Sequence, residues 1–400
     1  MDAQVIETKK RSFLWSSLPF FILAHAAHHF LTALPQPLLP AIRDEFNLSY
    51  SRVAFVPMAF ALSGATGQLP SGWMADRFGP VILIAIGTVG VAIAGMLIGL
   101  SHTFLMLICF LVLMGLLSGG YHPAATPLIS ASVEPNQRGR ALGFHLIGGN
   151  SSFFIAPLVA AFISGFWGWR GAFLTLAVPT AVLGIAFYIY LTRWGGKAHV
   201  AAVKRKIVDE KSPQPGYKRR LIAFLSMIVI GGGAGMSIMA FLTLYMTDRL
   251  GASNQLAGGL LSIMFSSGLW AGPIGGYISD RIGSVKVVIV TGLLTGILIY
   301  TLNFVTLGFS LYFVLFFLGL NMAVRMPVTE VFIMGQSPAR HRSAIFGVYY
   351  STMQYTGAIF TPFVGYLIEQ WGFKTCFTIS ATVVTAVAVI GSFFIWDAKD

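Results

Sequence analysis

Apolar runs of roughly 20 residues follow one another along almost the whole chain, each closed by glycine, proline or a cluster of charges. A helix of that length spans the hydrocarbon core of a bilayer, whereas the strands of an outer-membrane barrel alternate apolar and polar positions, so the pattern predicts transmembrane helices. Twelve such runs begin near residues 17, 51, 80, 103, 139, 170, 219, 254, 285, 309, 342 and 372. The one long polar stretch, RWGGKAHVAAVKRKIVDEKSPQPGYKRR at residues 193–220, divides them six and six. It reads as a cytoplasmic linker with some helix of its own. The expected organisation is an N-terminal six-helix bundle (residues 1–193), a linker (194–218) and a C-terminal six-helix bundle (219–400). The polar start, residues 1–12, leads into a first run of about 25 residues, longer than the apolar core of about 7–15 in a signal peptide, so it is kept as a membrane helix.

The two halves repeat each other at a constant offset of 204 residues. Asp44 matches Asp248, Gly72 matches Gly276, Asp76 matches Asp280, Arg77 matches Arg281 and Gly79 matches Gly283. Further on, Pro123 matches Pro327, Arg138 matches Arg342, Gly143 matches Gly347, and WGWR at 167–170 matches WGFK at 371–374. An offset that holds over about 130 residues implies the same helix order and loop lengths in each half. With six spans apiece, both halves run in the same direction, related by an axis along the membrane normal.

Composition agrees with this all-α polytopic membrane fold: 56% of the 400 residues are hydrophobic, 10% are charged, and the mean hydropathy is +0.77. The net charge of +12 does not indicate nucleic acid, because its distribution is one-sided. Lys9, Lys10, Arg11, Arg77, Arg138, Arg140, Arg281, Lys286, Arg340 and Arg342 lie between spans on one side, together with nine basic residues of the 193–220 segment. The opposite loops hold Arg43, Arg52, Arg170, Arg249 and Lys374. That asymmetry predicts both termini in the cytoplasm. Cys109 and Cys376 fall inside apolar runs without metal-ligand spacing and are expected to be free core thiols.

GWMADRFG at residues 72–79 and GYISDRIG at 276–283 occupy matching positions after spans 2 and 8. Their glycines permit a tight turn and close helix approach, the carboxylate suits a helix N-terminus, and the arginine suits a nearby acid. This duplicated Gly-x-x-x-Asp-Arg-x-Gly signature, in a chain of twelve spans, resembles the major facilitator superfamily over essentially its whole length. The resemblance implies a secondary transporter working by alternating access, with charged loop latches. By position, Asp76 faces the start of span 11 near Arg342, Asp280 faces the start of span 5 near Arg138, and Arg77 pairs with Glu134. Where the family usually continues with basic residues, this chain has Pro80 and Val81.

A narrower resemblance lies in spans 4 and 5. Tyr121, His122 and Pro123, then Gly148, Gly149, Asn150 and Pro157, are similar to the fosmidomycin-resistance efflux branch, as is a histidine near the middle of span 1. Where an acid is expected after the His-Pro pair, this chain has Ala124.

Ionisable residues inside a span cost roughly 2.5–3.5 kcal/mol on insertion scales and normally face a cavity or a partner, so they are the functional candidates. On span 1, His25, His29, Thr32 and Gln36 follow i, i+4, i+7, i+11 and share one helical face, with His28 just off it. Span 4 adds Tyr121 and His122, span 10 adds Arg325 and Glu330, and Asn150 and Gln354 match across the repeat on spans 5 and 11, with Tyr355 beside Gln354 and His145 nearer the cytoplasm. The family resemblance places spans 1, 4, 7 and 10 around the central cavity. His25, His29, His122 and Glu330 are the candidate proton carriers, since imidazole titrates near pH 6.5. Arg325 and Glu330 lie about 140° apart on their helix and are poor partners for each other. Arg325, a permanent charge with a planar fork, suits a carboxylate, phosphate or phosphonate, with a structural pair as the alternative. Tyr245, Tyr349, Tyr350 and Tyr355 are either cavity-lining or interface anchors, and the glycines at 231–233 allow bending or close packing.

The sequence contains no nucleotide-binding loop of the Gly-x-x-x-x-Gly-Lys-Ser/Thr type. Transport is expected to run on a gradient, and a charge moved through 100 mV is worth about 2.3 kcal/mol, roughly a fiftyfold solute gradient. The first reading is proton-coupled export of a small anionic or amphiphilic organic molecule by a monomer in the inner membrane of a bacterium, with no cofactor. The second is proton-coupled uptake of an organic anion. The third takes His25, His28 and His29, which match the His-x-x-His-His box of di-iron desaturases, as a metal path. The further boxes such an enzyme needs are absent, so an enzyme is not expected.

Overall fold

The computed structural model describes residues 3–131, 138–194, 215–338 and 342–397. Among them every regular element is a helix. Helix α1 (Ala3–Thr32) starts in the polar leader, whose Gln, Glu, Lys and Arg are good helix formers with no glycine or proline among them. It stops at Thr32, ahead of Pro35 and Pro37, because the residue before a proline is pushed out of the helical region. Gln36 consequently sits in a turn beyond the helix, and the shared face expected for it reaches only as far as Thr32.

Two short helices follow, α2 (Leu39–Phe46) and α3 (Tyr50–Val53), the latter capped by the Ser49 hydroxyl, which accepts from the Arg52 amide. Helix α4 (Phe55–Phe78) ends at Gly79, and α5 (Pro80–Ala85) begins with proline at its first position, where the missing amide is not needed. One turn of π-helix (Ile86–Gly90) leads into α6 (Val91–Gly99). Span 4, read as one run, is broken at Gly119 and Gly120 into α7 (Phe104–Ser118) and α8 (Tyr121–Ala131). A Cβ on Gly119 would lie 2.6 Å from the Gly67 backbone, so glycine is what lets α7 meet α4 there. Helix α9 (Arg138–Trp194) is interrupted at Gly168.

The second half runs through α10 (Tyr217–Met227), a π turn (Ile228–Gly232), α11 (Gly233–Ala240), α12 (Leu242–Asp248) and α13 (Asn254–Ser266). A 3-10 turn (Ser267–Leu269) joins α13 to α14 (Ala271–Ile282), and α15 (Ser284–Thr301), α16 (Phe309–Gly335) and α17 (Arg342–Ile395) complete the chain. The π turn covers Gly231 and Gly232 of the glycine run, so that run does mark a departure from regular helix.

The 204-residue offset returns in the backbone. Gly79 and Gly283 have φ of 92° and 91°, both with ψ of 145°, and Gly168 and Gly372 break α9 and α17 with φ of 66° and 73°. These are conformations that a Cβ makes costly, so the repeated glycines are fixed by geometry.

Eight of the described helices are long and apolar enough to cross a membrane, or nine if the bent pair Asn254–Leu269 and Ala271–Ser279 is one span. Two of the eight, Gly143–Arg193 and Val348–Ile395, contain 51 and 48 residues, more than twice the roughly 20 that one crossing needs. Each holds its glycine break near the middle. This is an integral membrane protein.

The chain divides into two compact units, one of residues 1–38 and 62–205, the other of residues 39–61 and 206–400. The core of the first gathers Phe21, Ala24, Leu83, Tyr121, Ile129 and Phe187. That of the second gathers Phe224, Val288, Val328, Phe332, Tyr349 and Ile395. Of the two cysteines, Cys376 is a buried free thiol as expected, but Cys109 is exposed on the outer side of α7. Apolar surroundings in the sequence do not separate the two faces of a helix that is hydrophobic all round.

Candidate functional site

In the first unit, α1, α8 and α9 bring five of the eight histidines together. His25, His28 and His145 are buried; His29 and His122 are half-buried. Ring centroids of His25 lie 4.8 Å from His29, 5.0 Å from His122 and 4.2 Å from His145, and His29 lies 5.3 Å from His122. Tyr121 stacks between His25 and His28, at 5.4 and 4.8 Å, and its hydroxyl donates to the Phe21 carbonyl. Phe153 closes the group at 5.0 Å from His29.

The hydrogen bonds fix how these rings are oriented. His25 Nδ1 is 2.9 Å from the His145 backbone carbonyl, and His28 Nδ1 is 2.7 Å from the Gly87 carbonyl. A carbonyl only accepts, so each Nδ1 carries the hydrogen and, in the neutral ring, each Nε2 presents a lone pair. Gly87 lies in the π turn Ile86–Gly90, where the ordinary ladder is disturbed and a carbonyl is open to a side chain. Thr32 Oγ1 is 3.2 Å from His29 Nδ1 and itself donates to the His29 carbonyl. His25 Nε2 is buried with no hydrogen-bond partner.

Gly149 of α9 faces this cluster. A Cβ there would come to 2.7 Å from His25 Cε1 and 3.0 Å from His29 Cδ2. The His25 ring is held by its bond to the His145 carbonyl and by the Tyr121 and His145 rings stacked on it, so the overlap cannot be relieved cheaply. Gly149→Ala is expected to destabilise the protein by about 1–3 kcal/mol, read as a lower midpoint of thermal unfolding in detergent. An unchanged midpoint would mean that α1 and α9 do not approach as described.

The second unit carries the other candidates. On α16, the Glu330 carboxylate accepts from the Tyr350 hydroxyl at 2.7 Å. Arg325 is half-buried on the same helix, and among the described residues no carboxylate pairs with it; its ionisable neighbour is the buried Tyr349. The two charges thus do not pair, as their angular separation requires. Tyr245 is structural: its hydroxyl donates to the Leu302 carbonyl at 2.5 Å while its ring packs on Phe373 and Phe377. Asn150 and Gln354 are both half-buried, the first on α9 and the second on α17.

A polar network to which the sequence alone assigned no role also lies in this unit. The Arg43 guanidinium forms a fork on Asp248, donating to both carboxylate oxygens, one of them at 2.9 Å from Nη2. It also donates to Asp44 at 2.8 Å. Tyr50 and Thr247 donate to Asp248 as well, Asn254 donates to Asp44 at 3.1 Å, and the Ser51 amide donates to Glu369 at 2.6 Å. Burial disfavours the charged form of Asp248, yet the bonds from Arg43 and Tyr50 win and hold its carboxyl below the usual range. The legible signal was the Asp44 and Asp248 match across the repeat; both acids converge on one arginine.

Of the signature loops, Arg77 lies over the Trp73 ring at 5.3 Å, and Arg281 over the Tyr277 ring at 4.5 Å. The two arginines are thus placed alike, each over an aromatic ring four residues earlier. Glu134, the expected partner for Arg77, lies outside the described residues, as do the side chains of Asp76, Arg138, Asp280 and Arg342 and most of the linker.

Apolar helices crossed by buried polar clusters are the setting of a transport path through a membrane. The chain belongs to the Major Facilitator Superfamily, whose model matches residues 21–222 and 221–400. It is 28% identical over 327 residues to the Multidrug resistance protein MdtG of Klebsiella pneumoniae (strain 342), covering 80% of this chain and 77% of that protein. It is also 28% identical over 328 residues to MdtG of Salmonella paratyphi C (strain RKS4594), at 80% and 79% coverage. Among solved structures it is similar in fold to a bacterial homolog of the human lysosomal transporter Spinster, with a TM-score of 0.75, 16% identity and 98% of this chain and 99% of that one covered. A POT family transporter in complex with a thioalcohol-conjugated peptide gives 0.78, 14% identity, and 96% and 97% coverage. The protein is a secondary transporter of small molecules.

Proposed function

We propose that this transporter is a proton-coupled exporter of a small anionic or amphiphilic organic molecule. Arg325 carries the reading: a permanent charge within an apolar helix, without a carboxylate partner among the described residues, suits an anion supplied by the substrate. The outward direction is supported by the multidrug-resistance relatives and by the likeness of Tyr121, His122, Gly148 and Gly149 to the fosmidomycin-resistance branch. The charge asymmetry of the loops supports twelve spans with both termini cytoplasmic, in a bacterial inner membrane, and a monomer suffices. Glu330 and the histidines of α1 and α8 are the proton carriers, and the signature loops of residues 72–79 and 276–283 latch the cycle of alternating access.

Purified protein in liposomes, under an imposed pH gradient, tests the reading with carboxylate, phosphonate and cationic probes. Anion movement should follow the gradient and collapse with a protonophore. Glu330→Gln should keep binding but lose the response to pH. Movement of cations alone would overturn the anion assignment, and a rate indifferent to the gradient would remove proton coupling.

A further inference from the structure

The geometry points to a transition-metal site formed by His25, His29 and His122 in the first unit. We infer that these three imidazoles bind one divalent ion of the zinc, cobalt or nickel class. The inference is independent of the anion reading, since it rests on residues of α1 and α8 and not on Arg325; while the ion is bound, His25, His29 and His122 are withdrawn from proton carriage and Glu330 alone keeps that role.

The nitrogens that the three side chains offer lie within 4.8 Å of one another. A tetrahedral ion about 2.0–2.1 Å from each nitrogen would bring them to about 3.3 Å, a closure that modest ring rotation supplies. His29 and His122 are half-buried and therefore less enclosed than His25. His25 is already set: its Nδ1 donates to the His145 carbonyl at 2.9 Å, leaving Nε2 as the lone-pair nitrogen, buried and with no hydrogen-bond partner. A backbone carbonyl behind a ligating imidazole is the outer support that fixes tautomer and orientation in metal sites. Thr32 plays the same part behind His29, because its own hydrogen is directed to the His29 carbonyl and its oxygen is left to accept from Nδ1.

For a metal path the sequence pointed to His25, His28 and His29, although it placed His122 with His25 and His29 as a proton carrier. His28 is next to His29 in the chain, but its Nδ1 is committed to the Gly87 carbonyl and its ring lies flat on Tyr121. It is replaced by His122, which reaches the cluster from α8. Three imidazoles without a carboxylate favour borderline metals over magnesium or calcium, which require oxygen donors. They also leave the ion its full charge and at least one open position, suited to water or an anion.

Full-length protein, with any affinity tag removed, is titrated in detergent with Zn2+, Co2+, Ni2+ and Mg2+, following bound metal by elemental analysis and the visible spectrum of Co2+. One Co2+ or Zn2+ per chain is expected, with the intense bands of a four-coordinate cobalt centre, and no saturable Mg2+. His29→Gln and His122→Gln should each weaken binding at least tenfold, while His102→Gln, exposed and remote from the cluster, should not. If either variant fails to fold, X-ray absorption on the wild-type cobalt complex decides, three imidazole nitrogens being required. Absence of saturable binding, affinity unaffected by both variants, or a hexa-aquo-like cobalt spectrum would each overturn the site.

Discussion

Arg325→Gln is expected to weaken binding of an anionic substrate by about 3 kcal/mol, roughly 150-fold, while leaving thermal stability within experimental scatter. The binding loss follows from removing a charged, two-pronged donor whose bonds to a carboxylate or phosphonate are worth about 1.5–3 kcal/mol each. The unchanged stability follows from what surrounds it. No carboxylate among the described residues depends on Arg325, so its removal strands no buried partner. Arg325→Lys keeps the charge but loses the fork and should fall between the two. Isothermal titration of each variant with carboxylate and phosphonate probes, beside thermal unfolding, checks both halves of the expectation. Affinity held within twofold in Arg325→Gln would place the substrate elsewhere; a collapse of stability would make the residue structural.

Asp248→Ala is expected to destabilise the second unit by about 2 kcal/mol, more than a simple surface pair because an arginine fork and the Tyr50 hydroxyl both lose their acceptor. The pair is mostly enclosed, with side-chain exposures of 17% for Arg43 and 19% for Asp248. Removing the acid leaves the Arg43 fork with Asp44 alone and the Tyr50 hydroxyl without its acceptor. Because the folded carboxyl is held below its ordinary value, the stability it contributes is fully present above about pH 4, where the unfolded chain titrates, and is lost as pH falls through the folded value. Wild type should therefore lose stability over that acid range more steeply than Asp248→Ala. A double-mutant cycle with Arg43→Ala supplies the second check: coupling of about 1 kcal/mol or more is expected, and purely additive losses would show that the fork contributes nothing.

The chain's apolar runs, the glycines that punctuate them and the 204-residue offset were all legible beforehand, because each depends on local chemistry repeated along the chain. Gly79 and Gly283 illustrate this: the same letter at the same offset takes the same φ and ψ. The arginines of the two signature loops were legible too, but their resting places over Trp73 and Tyr277 were not, since the aromatics differ and carry no motif. Helix breaks at Gly119 and in the two π turns escaped the hydropathy pattern, which records how apolar a stretch is and not how its backbone is wound. The grouping of His25 with His29 followed from 3.6-residue periodicity. His122 was already set with them as a proton carrier, but the commitment of His28 elsewhere was not legible, because it depends on which carbonyl of the π turn is free.

By itself, the sequence determined that this is a helical membrane protein built on a repeat, that its few intramembrane charges are exceptional, and that Arg325 and Glu330 do not serve each other. These conclusions rest on composition and helical period, which act over a few residues at a time. Tertiary structure alone decided that the His145 carbonyl holds His25 and that Gly149 lies against His25 and His29, that residues 39–61 fold with the C-terminal unit, and that Arg43 joins Asp44 to Asp248. Those outcomes hinge on contacts between residues up to about 200 positions apart, where the approach of two backbones, often permitted by a single glycine, determines which polar atoms meet.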